Sequence, residues 1–293
     1  MTPGALAAFC RRWGADSPEL AMVAAVEHTT RDFSPYPPVE PRDVAARFGA
    51  TVAFIPGDRG QERRGLTNHG QLTVRNGRWH IAVPLRMRHE RRRFSVAHEI
   101  GHILLFDAVA DAPELVRQLR SRELYDRIEP LCNLAAAHLL MPEAPFSEAL
   151  EAAMPPSKES IEMLAAKFNV SLEALARRIT EVRPDWFIMF WEYSTTHPKG
   201  PAWRTAQQPK RQGVPFQPEG MSSARLSPDI VLDAAMAGAA QAEDVLADLP
   251  SVGRMNDVRA WLVPRISREL VEVGDRTEQN ERVFVFYRRS VRA

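Results

Sequence analysis

The segment His98-Glu99-Ile100-Gly101-His102 carries two histidines four residues apart, with a glutamate directly after the first. On a helix, residues four apart lie on one face, with Cβ atoms about 5–6 Å from each other. Two imidazoles so placed can bind one cation, while the glutamate reaches a water molecule on that cation. The spacing therefore indicates metal-dependent hydrolytic chemistry.

The residues around this segment, Phe94–Phe106, are apolar on nearly every face of the predicted helix. A helix that is apolar all round is buried, and burial of two histidines and a carboxylate is costly unless something coordinates or pairs them. A metal ion satisfies all three. Gly101 would let another backbone approach closely, although tight packing explains it equally well. The alternative is a helix whose histidines are solvated or satisfied within the core.

A catalytic zinc needs a third protein ligand and one open position for water. A third histidine six residues after His102 would extend the motif, but that position is Ala108. The third ligand must therefore come from elsewhere. The downstream candidates are Asp107, Asp111, Glu114, Glu123, Asp126 and Glu129.

A second buried helix is predicted from Glu129 to Pro142, where proline ends it. Its alanines favour close packing against the first helix. Pro130 directly follows Glu129, and proline fits a first helical turn but kinks a helix interior. The sequence thus places Glu129 at a helix start or at a kink.

Together the two segments resemble the ImmA/IrrE family of bacterial metallopeptidases, most closely its radiation-response branch. The matching blocks are Arg93-Phe94-Ser95-Val96-Ala97-His98-Glu99-Ile100-Gly101-His102 and Glu129-x-x-x-Asn133-x-x-Ala136-Ala137-x-Leu139-Leu140-Met141-Pro142. The resemblance implies that His98, His102 and Glu129 bind one zinc or manganese ion per chain, and that Glu99 is catalytic. It also implies a narrow substrate, a helix-turn-helix transcriptional repressor whose cleavage releases DNA-damage-type stress-response or mobile-element genes.

Composition excludes several other classes of protein. The chain has 293 residues, a formal net charge of +1 and 45% hydrophobic residues. Such a charge gives no general attraction to nucleic acid or acidic membranes, and the apolar share can build real cores. Cys10 and Cys132 are too few for a disulfide framework. No signal peptide and no run of about 18 apolar residues are seen. We therefore expect a cytoplasmic protein without a membrane partner.

We predict an α+β fold with a zincin-like metallopeptidase domain at residues 1–145. Its expected elements are an N-terminal helix, a helix at 43–48, a strand at 51–55, a hairpin at 72–83 turned by Asn76-Gly77, and the two metal-site helices. An edge strand beside the metal could align an extended peptide. We interpret the following cluster as a solvated loop rather than a nucleic-acid patch: Arg86, Arg88, Arg91, Arg92 and Arg93.

Residues 146–194 are predicted to form a helix-turn-helix-like domain. Ser157 and Ser171 can cap two short helices. The second helix carries Arg177 and Arg178, but Glu173 and Glu181 nearly cancel them, so direct DNA binding is possible but not favoured. The strand-like run at 186–191 closes this domain.

Residues 195–223 are rich in proline and are predicted to be a linker. A helix at 226–245 and strands at 258–262, 269–273 and 283–287 follow. They suggest a small α+β domain at 224–293, and the resemblance to the radiation-response branch implies that it is sensor-like (GAF-like). Its position agrees with a domain that could bind a small-molecule effector.

The favoured mechanism is that of a metalloendopeptidase of the gluzincin-like type, with Glu99 as general base. Tyr125 or His138 could donate to the developing oxyanion, and we favour a structural role for His138. The alternative function is that of a non-catalytic metal-binding regulator that binds a repressor or DNA. A third possibility is a sensor whose C-terminal domain gates the peptidase.

Overall fold

The computed structural model describes residues 4–33, 37–56, 70–154, 156–183, 186–194, 202–207, 258–273 and 276–289. Its helices are α1 (Gly4–Trp13), α2 (Pro18–Thr30), α3 (Pro41–Arg47), α4 (His89–Ala108), α5 (Pro113–Leu119), α6 (Arg122–Leu140), α7 (Glu143–Ala152), α8 (Lys158–Phe168) and α9 (Leu172–Val182). Its strands are β1 (Thr51–Ile55), β2 (Gln71–Arg75), β3 (Arg78–Pro84), β4 (Trp186–Ser194), β5 (Ala202–Gln207), β6 (Val258–Val273) and β7 (Arg276–Arg289). The mixed α+β class is confirmed, with helices dominating the described part of the N-terminal half.

The chain divides into two compact units. The first comprises Met1–Glu148 and Ala165–Ser171, and the second Ala149–Leu164 and Leu172–Ala293. The predicted limits at residues 145, 194 and 223 stay a prediction. No described helix is both long and apolar enough to span a bilayer.

In the first unit a three-stranded sheet has the order β1-β3-β2. β1 runs parallel to β3, and β2 is antiparallel to it. The hairpin between β2 and β3 turns at Asn76 and Gly77, whose φ angles are 51° and 72°. Such positive values suit the type I′ turn that the Asn-Gly pair predicts. β2 thus forms one outer strand of this sheet.

The core of the first unit forms where α4 packs against α6, and α2 also packs against α6. Ile100 and Ile103 of α4 and Ala136 and Leu139 of α6 are almost completely buried. A Cβ atom on Gly101 would lie 2.9 Å from the Cα of Cys132 and 3.0 Å from the Cβ of Ala135. The missing side chain therefore allows the two helices to approach closely, as the sequence suggested.

We expect Gly101→Ala to lower the free energy of unfolding. The new methyl group would meet the α6 backbone, and overpacking costs about 1–3 kcal/mol, whereas the gain in helix propensity is about 1 kcal/mol. Urea unfolding measures the difference. Arg91→Ala, at an exposed position of α4, is the control and should change stability little. An unchanged unfolding midpoint for Gly101→Ala would contradict this packing.

Two local predictions are wrong. α6 begins at Arg122, seven residues before the expected start, and Pro130 lies inside it. A proline there removes one backbone hydrogen bond, but the burial of Ile128, Leu131 and Cys132 on either side of it holds the helix in place.

The arginine cluster is the second correction, because α4 begins at His89 and includes three of its members. Arg93 is only 5% exposed. Its guanidinium donates to the Glu40 carboxylate at 2.7 Å and to the Val39 carbonyl at 2.5 Å. Arg93 therefore ties the start of the metal-site helix to the segment before α3, whereas a solvated arginine would point outwards.

The second unit contains a four-stranded antiparallel sheet of order β5-β4-β7-β6. β5 lies within residues 195–223, the predicted linker. β4 pairs with β7, so one sheet joins residues on both sides of position 194, the predicted end of the helix-turn-helix-like domain. The strands predicted at 258–262 and 269–273 are parts of β6, which has a register shift between Ile266 and Leu270. The predicted helix at 226–245 lies outside the described residues.

Candidate metal centre

Helix α4 presents His98 and His102 from consecutive turns. Their ring centroids are 5.0 Å apart, and the rings are nearly perpendicular. The two side chains are 14% and 13% exposed, so both are largely enclosed yet reachable from solvent. The structure thus brings together the two histidines of the motif on one face, as their spacing predicted.

Glu129 of α6 faces both histidines across the helix interface. Its Oε2 lies 3.4 Å from His98 Nε2, and its Oε1 lies 3.2 Å from His102 Nε2. Partial burial alone would raise the pKa of the Glu129 carboxyl, but hydrogen bonds and charges of the histidines hold it well below its usual range. Glu129 is therefore an ionised carboxylate beside two imidazole nitrogens, despite the proline that follows it.

These distances fit the donor atoms of one metal ion. Ligands about 2.1 Å from a tetrahedral ion lie about 3.4 Å from each other. The separations between Glu129 oxygens and the two imidazole nitrogens, 3.2 and 3.4 Å, are of this size. Two nitrogens and one carboxylate are also a common set for catalytic zinc. The three predicted ligands are thus close to a binding arrangement.

The other candidates for the third ligand have different surroundings. Asp107 pairs with Arg12 at 3.0 Å, and Glu114 pairs with the neighbouring Arg117. Glu129 is the one of the six carboxylates that the structure shows against both histidines.

Cys132 is a further potential ligand that the sequence analysis did not assign. Its Sγ and one ring nitrogen each of His98 and His102 all lie within 4.8 Å of one another. The residue is fully buried and follows Glu129 by three positions on α6. Its spacing from Glu129 was a usable signal, because residues three apart share a helix face.

Asn133 fixes the orientation of His98. The Asn133 Oδ1 lies 3.0 Å from His98 Nδ1, so a proton on Nδ1 can be donated to it and Nε2 stays available for a metal. Burial alone would lower the pKa of His98, but Glu129, Glu99 and Asn133 together raise it. The Glu-x-x-x-Asn spacing placed Asn133 on the face of Glu129, but its role was not predicted.

We expect Asn133→Ala to weaken metal binding by about 10–100-fold, the usual cost of losing a group that orients a ligand. Asn133→Asp keeps an acceptor in place and should retain most of the affinity. Isothermal titration with zinc compares the two variants. Equal losses in both would contradict a role based on the hydrogen bond to His98.

Glu99 is 5% exposed and points to the small sheet. Its Oε1 would lie 2.9 Å from a Cβ atom on Gly70, and its carboxylate accepts a hydrogen bond from the backbone N–H of Leu72. Burial raises the pKa of the Glu99 carboxyl, although His102, His98 and Leu72 oppose the rise. A carboxylate with a raised pKa beside metal ligands suits proton transfer.

Tyr125 and His138 were the predicted candidates for a donor to the developing oxyanion. Tyr125 is 53% exposed, and its hydroxyl donates a hydrogen bond to Glu129, one helical turn further on. Burial, and then the Glu129 charge, raise the pKa of its phenol. His138 is buried within α6, which agrees with a structural role. Tyr125 thus lies at the rim of the site.

Comparisons with known proteins match the part of the chain that contains α4 and α6. Residues 45–180 match the family model of the IrrE N-terminal-like domain, a peptidase family. The "Radiation response metalloprotease IrrE" of Deinococcus radiodurans is 39% identical over 107 residues, 36% of this chain and 31% of that protein. The protein of the same description from Deinococcus deserti is 37% identical over 102 residues, 33% of this chain and 36% of its own length. The aligned segment therefore spans about a third of each of these relatives.

A solved structure is similar in fold. The chain described as "Mycobacterium tuberculosis transcriptional regulator" aligns with a TM-score of 0.56 and 16% sequence identity, over 97% of this chain and 80% of that one. The matched residues 45–180 contain α4 and α6, and with them the two histidines and Glu129. The family match over residues 45–180 and both Deinococcus relatives thus support the resemblance of this domain to the ImmA/IrrE metallopeptidases.

Proposed function

We propose that the chain is a metal-dependent endopeptidase that uses His98, His102 and Glu129 as ligands. The observation that carries this proposal is the buried Glu99 carboxylate, held by Leu72 beside these three donors. A purely structural metal site has no use for a fourth, uncoordinated carboxylate. The match to the IrrE N-terminal-like domain and the names of the Deinococcus relatives support the same activity.

The chemistry divides between the ion and the protein. Bound zinc or manganese supplies a water molecule of lowered pKa, about 7 on catalytic zinc, and a Lewis acid for the carbonyl oxygen. Glu99 takes the proton of the attacking water and delivers it to the leaving amine. Tyr125 is the candidate for a second donor to the oxyanion, because its exposed hydroxyl lies beside Glu129.

The substrate would be bound as an extended segment along β2. In the sheet that the structure describes, β2 is an outer strand, and its Leu72 N–H contacts the proposed base. An added strand would be held by main-chain hydrogen bonds. A peptide in this position would pass directly beside Glu99 and the metal ligands.

For the substrate itself we propose a helix-turn-helix repressor cut at one site, so that stress-response or mobile-element genes are released. The support is the resemblance to the radiation-response branch and the description of the relatives as radiation response metalloproteases. Such a substrate would place the protein in the cytosol. An effector bound by the C-terminal residues would then control when cleavage occurs.

Direct DNA binding is the less favoured function. α9, the second helix of the predicted helix-turn-helix, buries Leu175, Ala176 and Ile179 and also its Arg178, which is 2% exposed and pairs with Glu181. Arg177 is exposed, but one arginine supplies little affinity for a phosphate backbone. A packing role for α9 explains this burial better than contact with a DNA groove.

Co-expression with a repressor encoded beside the gene would test the substrate class. The wild-type chain should convert the repressor into two fragments, visible by gel electrophoresis, and His98→Ala should leave it intact. An uncut repressor with the metal-loaded wild-type chain would contradict this substrate. Cleavage by both the wild-type chain and His98→Ala would show that the activity does not depend on His98.

A further inference from the structure

Cys132 is a potential ligand beside the three that the proposed peptidase uses. α4 contributes His98 and His102, and α6 contributes Glu129 and Cys132. Each of the two packed helices thus contributes two residues, which lie three or four positions apart. The donors that all lie within 4.8 Å of one another are those of His98, His102 and Cys132, and Glu129 does not belong to this group.

The packing brings the thiol to this position. Gly101 lies in the turn of α4 between the two histidines, and a Cβ atom there would be 2.9 Å from the Cα and 3.2 Å from the Cβ of Cys132. α6 therefore presents Cys132 directly against the histidine-bearing turn. A small core residue needs no polar neighbours. The fully buried Cys132 thiol, by contrast, lies within 4.8 Å of one ring nitrogen of each histidine.

We propose that Cys132 is an ion-selective ligand, which binds thiophilic divalent ions such as zinc or cobalt together with His98 and His102. Manganese prefers oxygen and nitrogen ligands and leaves the thiol aside. In the zinc form the Cys132 thiol releases its proton to the buffer as the metal–sulfur bond forms, and no electrons are transferred. This inference rests on the proposed metal centre.

Cobalt(II) is the probe for thiolate ligation, because it replaces zinc and absorbs according to its ligands. We expect the full-length wild-type chain to show the thiolate-to-cobalt charge-transfer band in the near ultraviolet. Cys10→Ser, which removes the other cysteine of the chain, should keep the band. Cys132→Ser and Cys132→Ala should lose it while they keep the weaker visible bands of bound cobalt.

Metal affinities give the second measurement. Cys132→Ala should lower zinc affinity by more than about 10-fold, the lower limit for groups that only orient a ligand, and leave manganese affinity unchanged. Equal losses for both ions would show that Cys132 acts only through packing and would overturn the proposal.

The role of Cys132 and the peptidase centre can be contradicted separately. Visible cobalt bands without the charge-transfer band in the wild-type chain would overturn the role of Cys132 and leave the peptidase centre intact. No cobalt, zinc or manganese binding by the wild-type chain would overturn both the role of Cys132 and the proposed function. If the Cys132 variants do not fold, the presence or absence of the charge-transfer band in the wild-type and Cys10→Ser spectra still tests the proposal.

Discussion

Replacement of either histidine by alanine should abolish tight metal binding. Each imidazole supplies one of the three proposed ligands of the peptidase centre, and the ligands that remain cannot hold a catalytic ion. The loss of affinity should exceed the roughly 10–100-fold effect of residues that only orient a ligand. Elemental analysis of purified His98→Ala and His102→Ala, compared with the wild-type chain, measures the effect. Full occupancy in either variant would contradict the assignment.

The third ligand has a matched control on the same helix. Glu129→Ala should lose bound manganese, because the Glu129 carboxylate lies 3.2–3.4 Å from the Nε2 atoms of both histidines and manganese leaves the Cys132 thiol aside. Asp126→Ala, one turn earlier on α6, should keep it. The opposite pattern would move the third ligand to Asp126, away from the residue that the family resemblance implies.

Glu99→Gln should leave metal binding intact and lower the cleavage rate by about 10²–10⁴-fold, the usual contribution of general acid–base catalysis. The amide has nearly the size of the carboxylate, but it cannot accept the proton of the attacking water. Initial rates on the purified repressor, with metal content measured in the same samples, separate the two effects. Loss of metal together with activity would give Glu99 a role in binding.

Much of the site was predictable because its signals are local. The four-residue spacing of His98 and His102 defines a helix face, and Asn76-Gly77 defines a turn. The strand at 51–55 and the hairpin at 72–83 follow from alternation and turn chemistry, and all of them are confirmed. Glu129 required the family resemblance, since six carboxylates were open on spacing alone.

The remaining features depend on contacts between residues far apart in the chain. Leu72 reaches Glu99 only because the edge of the small sheet lies beside α4, and Arg93 is buried only because Glu40 and Val39 receive it. The continuation of α6 through Pro130 depends on packing that outweighs a poor local preference. Likewise, the pairing of β4 with β7 joins residues nearly a hundred positions apart, which no periodicity reveals.

The most direct test of the account is the intact mass of the repressor after incubation with the metal-loaded wild-type chain in water enriched in ¹⁸O. We predict two fragments whose masses sum to that of the intact repressor plus one water molecule, with one ¹⁸O atom at the new carboxyl end. Glu99→Gln, loaded with the same metal, should leave the repressor intact. Fragments produced equally by Glu99→Gln, or no fragments from the wild-type chain, would contradict a metallopeptidase that uses Glu99 as its base.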